Sequence, residues 1–243
     1  MTGSLLLRGM IAGLVAGLLA FGFARTFGEP SVDRAIAFEE QMAAAEHAPE
    51  EPELVSRSTQ AGIGLFTGIM VYSAAVGGIF SLVFASLFGR AGSGLTPRAL
   101  AAVIGIAAFL AIVIVPGLKY PPNPPAVGNP DTIGIRTALY FIMLAASLFG
   151  MGAAFTIAGK LRTQMGIWNA SLVAGLAYIV FIAVVDLLLP AINEVPENFP
   201  AMTLYHFRIA SVGIHVVIWT VLALLFGYLA DRQLRQSGNY RAA

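Results

Sequence analysis

Pro116-Gly117-Leu118-Lys119-Tyr120-Pro121-Pro122-Asn123-Pro124-Pro125, running on to Asn129-Pro130-Asp131-Thr132, is the stretch that decides how the chain is organised. It holds six prolines in the fifteen residues from 116 to 130. Each proline ring fixes φ and removes a backbone donor, and the residue before it is pushed towards extended geometry. The stretch therefore reads as a stiff polar loop between two apolar runs, one ending at Val115 and one beginning after Arg136. Two further segments have the same character: Gly28-Glu29-Pro30-Ser31-Val32-Asp33, and Leu189-Pro190-Ala191-Ile192-Asn193-Glu194-Val195-Pro196-Glu197-Asn198-Phe199-Pro200. Three rigid loops capping one side of a helical bundle is the arrangement these segments predict.

What they cap follows from composition. The 243 residues are 58% hydrophobic and 11% charged, and mean hydropathy is +0.80. A soluble domain carries about 25% charged residues, so the polar surface here cannot cover a water-soluble globule. The class is an integral membrane protein. A net charge of +1 with no basic cluster gives nucleic acid no phosphate-binding face. With no cysteine there are no disulfides, thiolate metal sites or Cys nucleophiles.

Crossing about 30 Å of hydrocarbon takes roughly 20 apolar helical residues. Six segments qualify, about 5–25, 61–88, 99–116, 136–159, 167–189 and 206–230. The prediction is an all-α, polytopic six-helix bundle forming a single membrane domain over 1–243, with outer loops 26–60, 117–135 and 190–205. Lys and Arg set the orientation. With the N-terminus inside, the inner segments hold Arg8, Arg90, Arg98, Lys160, Arg162, Arg232, Arg235 and Arg241 against Asp231 alone. The acidic residues gather outside, among them Glu29, Asp33, Glu39, Glu40, Glu46, Glu50, Glu51 and Glu53. Such a rim either is simply solvated or raises the local concentration of cations. Both termini are expected on the cytoplasmic side of an inner membrane. Gly9, Gly13 and Gly17, with Gly64 and Gly68 repeating the spacing, predict close helix contacts, either within the chain or between copies.

Ionisable residues inside spans are costly, and each is a functional candidate. Asp186 lies one turn below the outer surface, and either pairs with Arg208 or carries metal or protons. His215 lies deep in the last segment and is either a hydrogen-bonded core histidine or a ligand; His206 sits at that segment's mouth. An Asp–His pair with loop oxygens suits transient binding of a divalent transition ion. The loops add Glu29, Asp33, Asn129, Asp131, Asn193, Glu194 and Glu197, whose stiff backbones either sort ions by geometry or cap helix ends. No nucleotide-binding loop, zinc-protease helix or nucleophile elbow occurs, so the chain reads as no enzyme and needs no bound cofactor.

Phe27-Gly28-Glu29-Pro30-x-Val32-Asp33-Arg34-Ala35-Ile36, then Leu118-Lys119-Tyr120-Pro121-x-Asn123-Pro124-Pro125-Ala126-Val127-Gly128, then Asn193-Glu194-x-Pro196-x-x-Phe199-Pro200 together resemble the probable cobalt transporter family CbtA, over essentially the whole chain. The resemblance implies that Glu29, Asp33, Lys119, Asn123, Asn193 and Glu194 are family-motif positions. It implies import of cobalt(II) for cobalamin synthesis, by a transporter in which this chain works beside a small one-helix, histidine-bearing second protein. The expected metal-handling residues are Asp186, His215, Glu194, Asn193, Glu29, Asp33 and Asp131. The competing expectation is a scaffold that assembles a partner without transporting.

Overall fold

A computed structural model describes residues 2–45, 47, 54–89 and 94–236. These residues are helical with no strand among them. They form five helices long and apolar enough to cross a membrane: α1 (Thr2–Ala45), α2 (Arg57–Leu87), α3 (Pro97–Lys119), α4 (Pro130–Leu188) and α5 (Ala201–Gln236). In hydrocarbon each backbone polar group must be satisfied within its own segment, so apolar runs of this length become helices.

α4 contains both the fourth and the fifth apolar segments of the sequence. Its 59 residues are interrupted at Gly166, where φ is 77° and ψ is 165°. A side chain at that φ would strain the backbone, which is why glycine stands there. The chain folds back at this point. Ser147 Oγ lies 2.7 Å from Tyr178 Oη, whereas a continuous straight helix would separate those residues by about 46 Å. Phe149 and Phe181 meet with ring centroids 6.2 Å apart, and a Cβ on Gly150 would press on the Phe181 ring at 2.7 Å. α4 is thus a helical hairpin with two arms.

Two loop expectations are corrected. The segment Gly28–Asp33 is not a loop: α1 runs through it to Ala45. Likewise Pro116 does not end α3, which continues to Lys119. The reason is the same in both places. A wide π turn, Ala24–Gly28 in α1 and Phe109–Ile114 in α3, ends two residues before the proline. Glu29 N–H reaches back five residues to Ala24 O, and Val115 N–H to Leu110 O. The widened register lets the helix pass a residue that has no N–H to give. Thr26 eases the first turn further, its hydroxyl donating to Gly22 O at 2.8 Å. A third π turn, Gln60–Gly64, opens α2, with Gly62 off helical geometry at ψ −105°.

Chain contacts divide the molecule into two compact units. The first comprises 1–106, 124–126 and 198–243, and the second comprises 107–123 and 127–197. In the first unit α1 packs against α2 and α5. The small-residue stripe makes this possible. A Cβ on Gly13 would land on the carbonyl oxygen of Ser73, one on Gly9 on that of Gly77, and one on Gly77 on that of Gly9. The glycines therefore serve packing within the chain, and the partner of the stripe is Gly77 and Ser73 rather than Gly68, whose surroundings are open within 4 Å. Nearer the other end, Phe84 and Phe226 (5.1 Å) and Phe80 and Phe226 (5.4 Å) meet edge to face. α3 joins α5 where Gly105 faces Ala223 and Gly227 faces Ala101.

Candidate functional site

The second unit gathers both flanks of the proline-rich stretch, residues up to 123 and from 127 on, with the loop 189–197 into one knot. Lys119, the last residue of α3, donates from Nζ to the main-chain carbonyl of Asp186 at 2.7 Å, and lies 3.5 Å from its carboxylate. It thereby caps the C-terminal end of α4, where unpaired carbonyls and the helix dipole favour a cation. Tyr120, the next residue, donates from its hydroxyl to Pro190 O at 2.8 Å. Burial and the nearby Asp186 charge raise the Tyr120 pKa, so the phenol keeps the proton it donates.

Glu194 is the centre of the knot. It accepts from Asn129 N–H at 2.7 Å and from the Thr132 hydroxyl at 2.5 Å, and its carboxylate lies 3.2 Å from Arg136 Nε. Arg136 also donates to Asn129 O at 3.1 Å. Gly128, at φ +126°, clears the space: a Cβ there would stand 2.5 Å from the Arg136 guanidinium. Asn129 caps the short turn Pro130–Thr132, its side chain accepting from Asp131 N–H at 2.9 Å. The hydroxyl of Thr132, the Asn129 amide and Arg136 hold the Glu194 carboxyl below the usual carboxylate range. Asp131 and Asn193 are exposed, and Asn193 Oδ1 accepts from Val195 N–H at 3.4 Å.

In the first unit the motif acids meet an arginine. Arg57, at the start of α2, bonds the carboxylates of both Glu29 and Asp33, the latter at 2.9 Å. Glu29 is only 7% exposed. Arg25, one turn before it, stands 4.0 Å away. Ser31 is fully buried and accepts from Arg34 at 3.0 Å. Farther along α1, Phe38 meets Phe199 edge to face at 5.1 Å. The acids placed at an ion entrance are here the ends of a clamp between α1 and α2.

His215 lies in α5 with its ring 6.0 Å from Tyr72 of α2. Its Nδ1 is buried without a hydrogen-bond partner, as are Ser73 Oγ of α2 and Trp219 Nε1 one turn along α5. Unpaired buried polar atoms are rare in proteins, and each asks for an explanation. His206 sits beside Tyr205 near the start of α5, ring centroids 5.7 Å apart.

The seven expected metal-handling residues are thus divided. Glu29, Asp33 and His215 belong to the first unit, and Asp131, Asp186, Asn193 and Glu194 to the second. Among the described residues no three His, Cys, Asp or Glu side chains converge into a metal-binding group. Asp186 meets Lys119, whose Nζ lies 3.5 Å from its carboxylate. Glu46, Glu50, Glu51, Glu53, Arg90 and Arg241 lie outside the described residues. The residues that sequence reasoning missed are the cations that neutralise the acids: Arg57, Arg136, and Lys119 in its role at Asp186. Arg57 and Arg136 each stand just before an apolar run, the one signal that could have pointed to them.

Apolar helices of spanning length, a helical hairpin and loops fastened by motif residues are those of a multi-pass membrane protein. The family model described as probable cobalt transporter subunit (CbtA) matches residues 2–231, nearly the whole chain, and the chain belongs to that family. No curated protein and no solved structure matches it.

Proposed function

We propose that this transporter subunit moves cobalt(II) inward across the cytoplasmic membrane, with six crossings and both termini inside. The two arms of α4 are each long enough to cross, and Lys160 and Arg162 near the Gly166 turn suit an inner loop. The outer loops would then be the fastened ones, with Asp186 and His215 each a candidate station for the ion. The observation that carries this reading is the buried, unpartnered Nδ1 of His215: an imidazole in an apolar span with a ring nitrogen that no protein group engages is available to a first-row divalent ion. Asp186 supports it, because Lys119 bonds chiefly the main chain and leaves the carboxylate 44% exposed. An arriving divalent ion would compete with Lys119 for that group. The membrane potential supplies about 2.3 kcal/mol per charge per 100 mV for inward movement. A chain described as one subunit of a transporter fits a partner, which we take to be a small one-helix protein bearing further histidines.

One set of observations favours a second reading, a scaffold that assembles the transporter without carrying the ion. Glu29, Asp33, Asp186 and Glu194 each already have a basic partner, as fasteners need and open ligands do not. Cobalt uptake by cells expressing this chain with its partner separates the two. Transport predicts that His215→Ala and Asp186→Asn each lower uptake tenfold or more at equal expression, on the order of one lost ligand's worth of affinity. Parental uptake in both variants removes these residues from the route, and parental cells that take up no cobalt favour the scaffold.

A further inference from the structure

At the end of the first unit where α3 begins and α5 closes, Asp231 is buried, 1% exposed, and bonds two guanidiniums. Arg98 Nε reaches one carboxylate oxygen at 2.9 Å and Arg235 Nε the other at 3.1 Å. Both bonds use Nε, which leaves the terminal Nη donors of each arginine for another acceptor. Arg98 also lies over the Tyr228 ring, 5.3 Å from its centroid. Arg232 is exposed and makes no hydrogen bond or ion pair with a described residue. Thr96, Arg98, Tyr228, Asp231, Arg232 and Arg235 enclose an open hollow of about 440 Å³. Three arginines against one aspartate make it strongly cationic. Thr96 adds a helix N-terminus, its hydroxyl accepting from Ala99 N–H at 3.2 Å.

We propose that this hollow binds the phosphate of an anionic membrane phospholipid. The transport route has no use for it: a cluster of guanidiniums repels a divalent cation. Its chemistry is that of a phosphate site, since guanidinium forks match phosphate oxygens. The face leading away from it selects a lipid over free phosphate. Leu224 and Tyr228, two turns and one turn back along α5 from Arg232, are 65% and 46% exposed. They stand at i and i+4, in line with Arg232, so an apolar strip runs from the hollow along the spanning helix. A headgroup seated among the arginines would lay its acyl chain along that strip, as basic pockets at membrane-facing helix ends do.

The test uses the full chain purified in mild detergent, with native mass spectrometry reading bound lipid. The probes are phosphatidylglycerol, phosphatidylcholine and inorganic phosphate in excess. Wild type should retain phosphatidylglycerol well above phosphatidylcholine. Arg232→Gln, which breaks no internal contact and should fold normally, should lower that retention about five-fold, the effect of one surface arginine on an anionic headgroup. Arg162→Gln, which removes a basic residue that does not line the hollow, should not change it. Excess phosphate should leave the lipid bound. Equal retention of phosphatidylglycerol in wild type and Arg232→Gln would overturn the proposal, and so would its displacement by phosphate alone.

Discussion

Lys119 Nζ holds the main-chain carbonyl of Asp186 at 2.7 Å, closer than the Asp186 carboxylate at 3.5 Å. The relationship places one motif lysine at the end of the α4 hairpin as a cap first and an ion-pair partner second. Lys119 is mostly buried, at 13% side-chain exposure, so its bond is little screened by water. Lys119→Met should therefore cost about 1.5–3 kcal/mol, the range of a charge-assisted hydrogen bond. In a protein of this size that is a fall of about 3–12 °C in Tm. A thermal melt of the detergent-solubilised chain checks it; an unchanged Tm would show that the cap contributes nothing.

Glu194 makes the loop knot sensitive to acid. Its carboxyl is held below the ordinary range in the folded protein by Thr132, Asn129 and Arg136. A lowered folded pKa contributes stability above the unfolded value, and that stability disappears as pH falls through the folded value. The knot should be fastened at neutral pH and loosen in acid, below the ordinary carboxylate range. With no native cysteine, a spin label at Asp131→Cys reports loop mobility directly. The label should gain mobility as pH falls in the otherwise wild-type chain. Adding Glu194→Gln should leave it mobile at every pH.

The clamp at Arg57 is asymmetric. Glu29 is buried and Asp33 is 60% exposed in its side chain, so losing Arg57 leaves a buried charge with only the longer 4.0 Å contact to Arg25 and merely frees the other. Arg57→Gln should destabilise by about 2–3 kcal/mol, discounted from the cost of breaking a fully buried pair because Arg57 itself is a quarter exposed. Adding Glu29→Gln should restore a good part of that loss. A double-mutant cycle on denaturation midpoints measures the coupling, and additive effects would mean the two side chains do not act together.

Two glycines of similar appearance in the sequence should behave oppositely. Gly13→Leu drives a side chain onto the Ser73 carbonyl and should prevent α1 from seating against α2. Gly68→Ala meets nothing within 4 Å and should express and melt as the parent does. Monodisperse yield in size-exclusion chromatography distinguishes them. Equal, parent-like behaviour of both would remove the glycine stripe from the packing.

Much of the fold is legible in the sequence, for physical reasons. Apolar length finds spans, and the Pro121–Pro125 run does form a loop. Pro30 and Pro116 mislead because a proline reads as a break unless a π turn precedes it. Whether a helix widens there depends on the tertiary support around it. Depth alone suggests Arg208 for Asp186; it does not say which loop folds over a helix end, and so Lys119 at that end is not visible from it. The expected ligand set comes from residue chemistry, which is blind to the division into two units. His215 is visible as an intramembrane histidine; that its Nδ1 lacks a partner is a fact of packing between α2 and α5.

The ion route requires the fastened loops to open outside, with α4 crossing twice. The direct measurement is labelling of single cysteines, in intact cells, by a reagent that cannot cross the membrane. Asp131→Cys and Asn193→Cys should label from outside, and Thr163→Cys, beside the Gly166 turn, only after the cells are opened. Labelling of Thr163→Cys in intact cells, or protection of Asn193→Cys, would leave the route without an outer entrance and contradict the account.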